Sequence, residues 1–190
     1  MDNFTIRKAE LADARQITEI YSYYVAQTAI SFDYEMPDET AFRKKMEDIM
    51  RKYPYLLASC GDEVLGFAYA SDFISRKAYE RCAELTVYLR NGYQRKGIGR
   101  KLYSELERIL GEMGFTNLYA CIAVPVDEPD SRVTSNSIDF HEHMGFRTVG
   151  TFYKCGYKFG NWYNMVWAEK IIAPHSDDPQ ELKEIGSIRY

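Results

Sequence analysis

An apolar strand that runs into two glycines and then into an amphipathic helix constrains this chain more than any other feature. Glu84-Leu85-Thr86-Val87-Tyr88-Leu89 is rich in β-branched and aromatic residues, as a strand is. Past Gln94-Arg95-Lys96-Gly97-Ile98-Gly99, the residues Ile98, Leu102, Leu106, Ile109, Leu110 and Met113 repeat on one helical face. The glycines therefore fall where a strand turns into a helix. Bare backbone N–H groups and the positive end of a helix dipole meet there, a setting suited to an anion. Gly97 and Gly99 also remove Cβ atoms from the path of a ligand. Arg90, Arg95, Lys96, Arg100 and Lys101 make this stretch wholly basic in a chain of net charge -4. The segment reads as a pyrophosphate cradle. It is not of the Walker type, because no Gly-Lys-Ser/Thr ends the loop. It is not a dinucleotide fingerprint either, because Leu102 stands where the third glycine belongs.

The remaining pattern, Gln/Arg-x-x-Gly-x-Gly/Ala, resembles the acetyl-CoA loop of the GCN5-related N-acetyltransferases, the GNAT family. Arg76-Lys77-Ala78-Tyr79, Glu84, Thr86-Val87-Tyr88, Gln94-Arg95, Leu102-Tyr103, His141-Glu142 before Gly145-Phe146, and Gly156-Tyr157-Lys158 with Gly160 and Trp162 are similar in order and spacing to its phosphinothricin acetyltransferase branch. The resemblance spans about residues 4 to 168. It implies an α/β fold with a mixed, twisted central sheet, helices on both faces, and acetyl-CoA entering where two central parallel strands diverge.

A length of 190 residues fits one domain, taken as 1–172, with a polar stretch 173–190 as a surface or partly disordered tail. Charges interrupt the early apolar residues, so no signal peptide is read, and no run reaches transmembrane length. Cys60, Cys82, Cys121 and Cys155 form no CxxC pair and are expected to be reduced, buried thiols of a cytoplasmic protein. The net negative charge argues against a nucleic-acid partner. The acidic segment 125–131, with two prolines and no histidine, reads as a solvated loop, so no metal is expected.

Patterning predicts a strand at 5–8, a helix capped by Asp13, and a second helix opening at Pro37-Asp38. It then predicts a hairpin from 55–60 to 64–70, strand 84–89, a long helix ending near Gly114, strand 118–124, a helix over 135–144, and strands 146–154 and 163–169.

Acetyl transfer to an amine requires a bound thioester, a neutral amine and a stabilised oxyanion. The resemblance implies that Thr86, Val87, Tyr88 and Leu89 hold the pantetheine arm, and that residues 94–101 (Gln94, Arg95, Lys96, Gly97, Ile98, Gly99, Arg100 and Lys101) hold the pyrophosphate. The family's asparagine near the next helix is replaced by Thr134, with Asn136 two residues later; both are kept as cofactor candidates. Glu84, a carboxylate in a strand that otherwise reads as buried, is the candidate general base. The alternatives are a solvent-facing carboxylate or a pair with Arg81. His141 is the candidate acid for the leaving thiolate, against a histidine that merely packs. Phe32, Tyr34, Tyr79, Tyr157 and Trp162 are candidate acceptor-pocket aromatics. Arg76 and Lys158 are candidate cations for an anionic acceptor group. His143 and His175 have no constellation around them. The implied acceptor is a small amino-acid-like amine of the phosphinothricin or methionine sulfoximine type. The alternatives are a peptide α-amine or a non-catalytic acyl-CoA-binding domain. The aromatic segment 153–166 implies a homodimer.

Overall fold

The computed structural model describes residues 4–127 and 130–189. Strands β1 (Thr5–Lys8), β2 (Tyr55–Cys60), β3 (Glu63–Asp72), β4 (Cys82–Leu89), β5 (Asn117–Pro125), β6 (Arg147–Lys158) and β7 (Asn161–Ile171) form one sheet in the order β1-β2-β3-β4-β5-β7-β6. Helices α1 (Ala14–Gln27), α2 (Glu39–Met50), α3 (Ile98–Met113) and α4 (Asn136–His143) flank it. Every strand pair is antiparallel except β4 with β5. This is the mixed α/β sheet that the sequence predicts.

Strand alternation builds two cores. On β2, Tyr55 and Leu57 join the cluster under α1 and α2, whereas Leu56 and Ala58 join the cluster under α3. Covered on both faces, these strands read as almost continuous apolar runs. On α3, Leu102, Leu106, Ile109 and Leu110 are fully buried, each contributing roughly 1.5–3 kcal/mol of transfer free energy. That face is what anchors the glycine loop at the helix's start.

Several expectations need correction. Asp13 does not cap α1. Its carboxylate accepts the Glu10 N–H (2.8 Å) and two guanidinium bonds from Arg7 (2.8 and 2.7 Å), so it closes the short 3-10 turn Leu11–Asp13 ahead of the helix. Asp38 does cap α2, accepting the Ala41 N–H at 2.8 Å. Strands β6 and β7 run past their expected ends into one hairpin. Phe159 (φ 52°) and Gly160 (φ 82°) make its left-handed two-residue turn, and a bulge sits at Lys154 (φ 50°). The four cysteines are free but not buried: Cys60, Cys121 and Cys155 are exposed and Cys82 is half-buried. Each sits at a strand end, a bulge or a cleft-facing position, where an apolar neighbourhood in sequence does not imply a covered one in space.

Nor is the C-terminal stretch a detached tail. Ile185 is buried in the α3-side core with Leu182 and Ile188 packed beside it, and the Lys183 N–H donates to Met113 O (2.9 Å). Three apolar residues at a spacing of three were enough to dock a segment that reads as polar. Glu128 and Pro129 of the acidic segment lie outside the described residues. Among the described residues no group of His, Cys, Asp and Glu is placed to hold a metal, and no helix is long and apolar enough to cross a membrane.

Candidate active site

The parallel pair β4 and β5 is joined at only three positions, Cys82 with Asn117, Ala83 with Leu118 and Glu84 with Tyr119. Beyond these the strands part, and a cavity of about 290 Å³ opens between them. On its other edge β4 stays paired with β3 through Leu89. At the open edge, the Tyr103 hydroxyl stands 3.4 Å from Leu85 O. The Tyr24 hydroxyl donates to Leu89 O (2.6 Å) and accepts from the Leu89 N–H (3.3 Å). Residues 85 and 89 therefore direct their peptide groups away from β3. Alternation turns the Val87 N–H and C=O the same way, into the cleft. A fixed N–H at this place is suited to a developing oxyanion, since it needs no reorganisation during reaction.

A second cavity of about 610 Å³ adjoins the first, and Ile30, Val87 and Ser137 line both. Its walls include Leu89, Gln94, Arg95, Gly99, Thr134 and Asn136. The loop is held in shape locally. Gln94 accepts the Gly92 N–H (2.9 Å), Arg95 adopts φ 62° and donates to Asn136 Oδ1 (3.1 Å), and Gly97 adopts φ 81°. A side chain on Gly97 would meet nothing within 4 Å, so it is the left-handed backbone, not space, that requires glycine. The first bond into α3 runs from the Lys101 N–H to Gly97 O (3.1 Å), which leaves the preceding amides at the positive end of the helix. A groove with this basic, amide-rich mouth and an apolar interior fits a pyrophosphate followed by a pantetheine arm. Two loop cations do not share the task. Lys101 turns away, its ammonium 4.4 Å over the Phe4 ring, and Lys96 lies 4.4 Å over Tyr93. Arg100 is exposed and does not line the groove.

Glu84 faces the cleft with no hydrogen bond or ion pair among the described residues. Arg81, its alternative partner, donates instead to Gly114 O, Pro179 O and Gln180 O. Desolvation raises the Glu84 pKa above the usual carboxylate value, and the positive field of Lys45 opposes the rise. His141 is buried and doubly engaged. Nδ1, facing the Ser137 carbonyl at 2.6 Å, must carry the proton, so Nε2 accepts from the Tyr103 hydroxyl at 3.0 Å. Burial lowers the His141 pKa, keeping the imidazole neutral near pH 7. The ring has no spare proton to give, and the group it presents to the cleft is the Tyr103 hydroxyl. Burial holds that hydroxyl well above the ordinary tyrosine pKa, so it stays protonated, with its one proton engaged on His141 Nε2. Tyr103 stands in the sequence only as part of a matched motif, with no role of its own, because its place on α3 is that of one more core residue; Tyr24 reads as a core position of the first helix, and Ser137 carries no signal.

The acceptor-side candidates divide. Phe32 lines the cleft and packs on Gly156, where a Cβ would come within 2.5 Å of its ring. Lys158 is not available to a ligand. Its ammonium is 2.8, 2.9 and 2.6 Å from the carbonyls of Val25, Thr28 and Ser31, a pin between β6 and the end of α1. Tyr157 is exposed and packs on Trp162 at 5.1 Å, outside the cleft, while its carbonyl accepts the Tyr34 hydroxyl. Arg76 is exposed at the start of a short turn and does not line the cavity. Tyr79 meets Phe73 edge-on at 6.0 Å.

Comparison with known proteins agrees with this geometry. Residues 6–167 match the model of the acetyltransferase (GNAT) domain. The chain is 31% identical over 175 residues to a phosphinothricin N-acetyltransferase of Streptomyces viridochromogenes, covering 92% of this chain and 91% of the relative. It is 28% identical to an L-methionine sulfoximine/L-methionine sulfone acetyltransferase of Salmonella typhimurium, over 90% of this chain and 96% of that one. A crystal structure of a GNAT-superfamily phosphinothricin acetyltransferase from Sinorhizobium meliloti in complex with acetyl-CoA superposes with a TM-score of 0.85 at 31% identity, covering 95% of each chain.

Proposed function

Since this chain belongs to the GNAT acetyltransferase family and is an acetyl-CoA-dependent N-acetyltransferase, we propose that its acceptor is the primary amine of a small amino-acid-like molecule, attacked directly on the thioester. The observation that carries the reading is Glu84, an unpaired, half-buried carboxylate at the point where β4 and β5 part. With its pKa raised by desolvation, Glu84 is a base able to take a proton from the acceptor's ammonium, directly or through one water. The neutral amine nitrogen then bonds to the acetyl carbonyl carbon, and the Val87 N–H receives the charge that develops on oxygen. As the C–S bond breaks, the nitrogen's second proton passes through water to the departing sulfur, and Glu84 returns the first proton to solvent. The Tyr103 hydroxyl, whose one proton is held by His141 Nε2, lines the cleft wall, and His141 acts through Tyr103 as a positioning residue.

The binding groove for acetyl-CoA is the 610 Å³ cavity, with Gln94, Arg95 and the amides following Gly97 at its pyrophosphate end and Thr134 and Asn136 along its wall. Val149, Phe152, Tyr153 and Tyr157 on β6, with Trp162 beside Tyr157 on β7, leave this edge of the sheet exposed and apolar, which supports a homodimer through that edge. Light scattering at micromolar protein is expected to give twice the 22.1 kDa chain mass, and a monomer contradicts that part of the reading. Acetyl-CoA-dependent thiol release across amino acids, their analogues, polyamines and short peptides tests the acceptor class. Amino-acid-like amines are expected to lead. Turnover confined to peptides overturns the class, and acetyl-CoA binding with no turnover overturns transfer altogether.

A further inference from the structure

Next to Glu84 lies a surface that the mechanism leaves unused. Glu84 pairs with Tyr119, Cys121 with Trp167, and Ala123 with Met165, so all six share one face of the sheet. Helices α1 and α2 cover that face over β2 and β3 but stop short of β5 and β7. Phe73, from the end of β3, fills the gap. Its ring stacks on Tyr119 at 3.9 Å and 14°, and meets Trp167 edge-on at 5.4 Å and 84°, with Tyr79 behind it. None of these rings is sealed in the core: Phe73, Tyr119 and Trp167 are half-buried, and Tyr79 is exposed. Charge points the same way. The residues lining the cleft include two acids, Asp33 and Glu84, and no lysine or arginine. Lys158 is saturated by three carbonyls. Lys44, Lys45 and Lys52, the cations that do approach Glu84, line a separate groove on its α2 side and do not line this cleft.

We propose that the Phe73–Tyr119–Trp167 wall is the acceptor's side-chain subsite, and that it selects amino acids with an aromatic side chain over those ending in a phosphinate. The proposal rests on the acetyl-transfer reading and names the acceptor within it. Such an acceptor lays its ring against the wall while its amine reaches Glu84. A ring-on-ring contact adds about a 2- to 10-fold preference beyond area burial, and the half-buried wall offers more than one.

Thiol release is to be followed with L-phenylalanine, L-tryptophan, L-alanine and phosphinothricin as acceptors, using the full chain and its variants Trp167→Leu and Trp167→Phe. The unsubstituted chain is expected to show kcat/KM at least ~10-fold higher for the two aromatic acceptors than for either of the others. Trp167→Leu keeps apolar bulk but removes the ring. It is expected to raise KM for the aromatic acceptors ~5- to 10-fold, with L-alanine and acetyl-CoA binding unchanged, while Trp167→Phe retains most of the preference. Phosphinothricin as the best acceptor, or an equal loss for all four acceptors in Trp167→Leu, overturns the subsite while leaving acetyl transfer intact. No turnover of any amine by a chain that still binds acetyl-CoA overturns the transfer reading and the subsite with it.

Discussion

The two halves of the cleft are built in opposite ways. The acetyl-CoA half is mostly local: one stretch from Leu85 to Gly99 supplies the open strand edge, the loop and the helix start, and the end of α1 with the residues after it and α4 with its lead-in close the walls. The acceptor half is assembled from distant pieces, with Phe32 after α1, Phe73 at the end of β3, Glu84 and Tyr119 on neighbouring strands, and Trp167 on β7. A local site is fixed by backbone geometry, which glycines and a helix end impose regardless of the rest of the chain. An assembled site depends on which side chains happen to meet, so it can be rebuilt without disturbing the other half. This is how one fold supports many acceptors.

The comparison can be broken at the joint that carries the acceptor side. Lys158→Met leaves the carbonyls of Val25, Thr28 and Ser31 without their shared donor, at a cost of about 3 kcal/mol. Chemical denaturation is expected to show that loss, and the acceptor KM should rise because Phe32 sits on the released segment. A rise confined to the acetyl-CoA KM argues against the division. On the other side, Gly97→Val forces a β-branched residue to φ 81° in a place with ample room, so the penalty is conformational. Acetyl-CoA is expected to bind about 10-fold more weakly, by calorimetry, with acceptor discrimination retained. Smallest is the effect of Lys45→Ala. Lys45 holds the Glu84 pKa down against desolvation, so its loss raises that pKa further. Activity that requires the ionised carboxylate then appears at higher pH, and the acid limb of kcat/KM should move upward. A limb that moves downward, or not at all, removes Lys45 from the field at Glu84.

The same division explains what was legible in the sequence. Gly97, Gln94 and Arg95 declare themselves because the spacing of a phosphate loop is written in consecutive residues. The two-faced sheet is legible because periods of 2 and 3.6 are local as well. Lys158 misled for the opposite reason. A lysine in a matched motif reads as a ligand for an anion, and nothing in its neighbours reveals three carbonyls arriving from residues 25–31. His141 misled in the same way, since its lack of a spare proton follows from Ser137 O on one nitrogen and Tyr103, thirty-eight positions away, on the other. Trp167 and Phe73 look like core aromatics in sequence, and only strand register sets them beside Glu84.

Glu84 stands where the two halves meet, and the account makes it a group that serves the chemistry without holding acetyl-CoA. Glu84→Gln keeps shape and hydrogen-bonding capacity while removing the base. Steady-state rates with an accepted amine, paired with calorimetric binding of acetyl-CoA to the same protein, test this directly. The predicted result is a kcat lower by ~10²-fold or more, with acetyl-CoA affinity within about twofold of the unsubstituted chain. An unchanged kcat, or a loss that appears wholly as weaker acetyl-CoA binding, would contradict it.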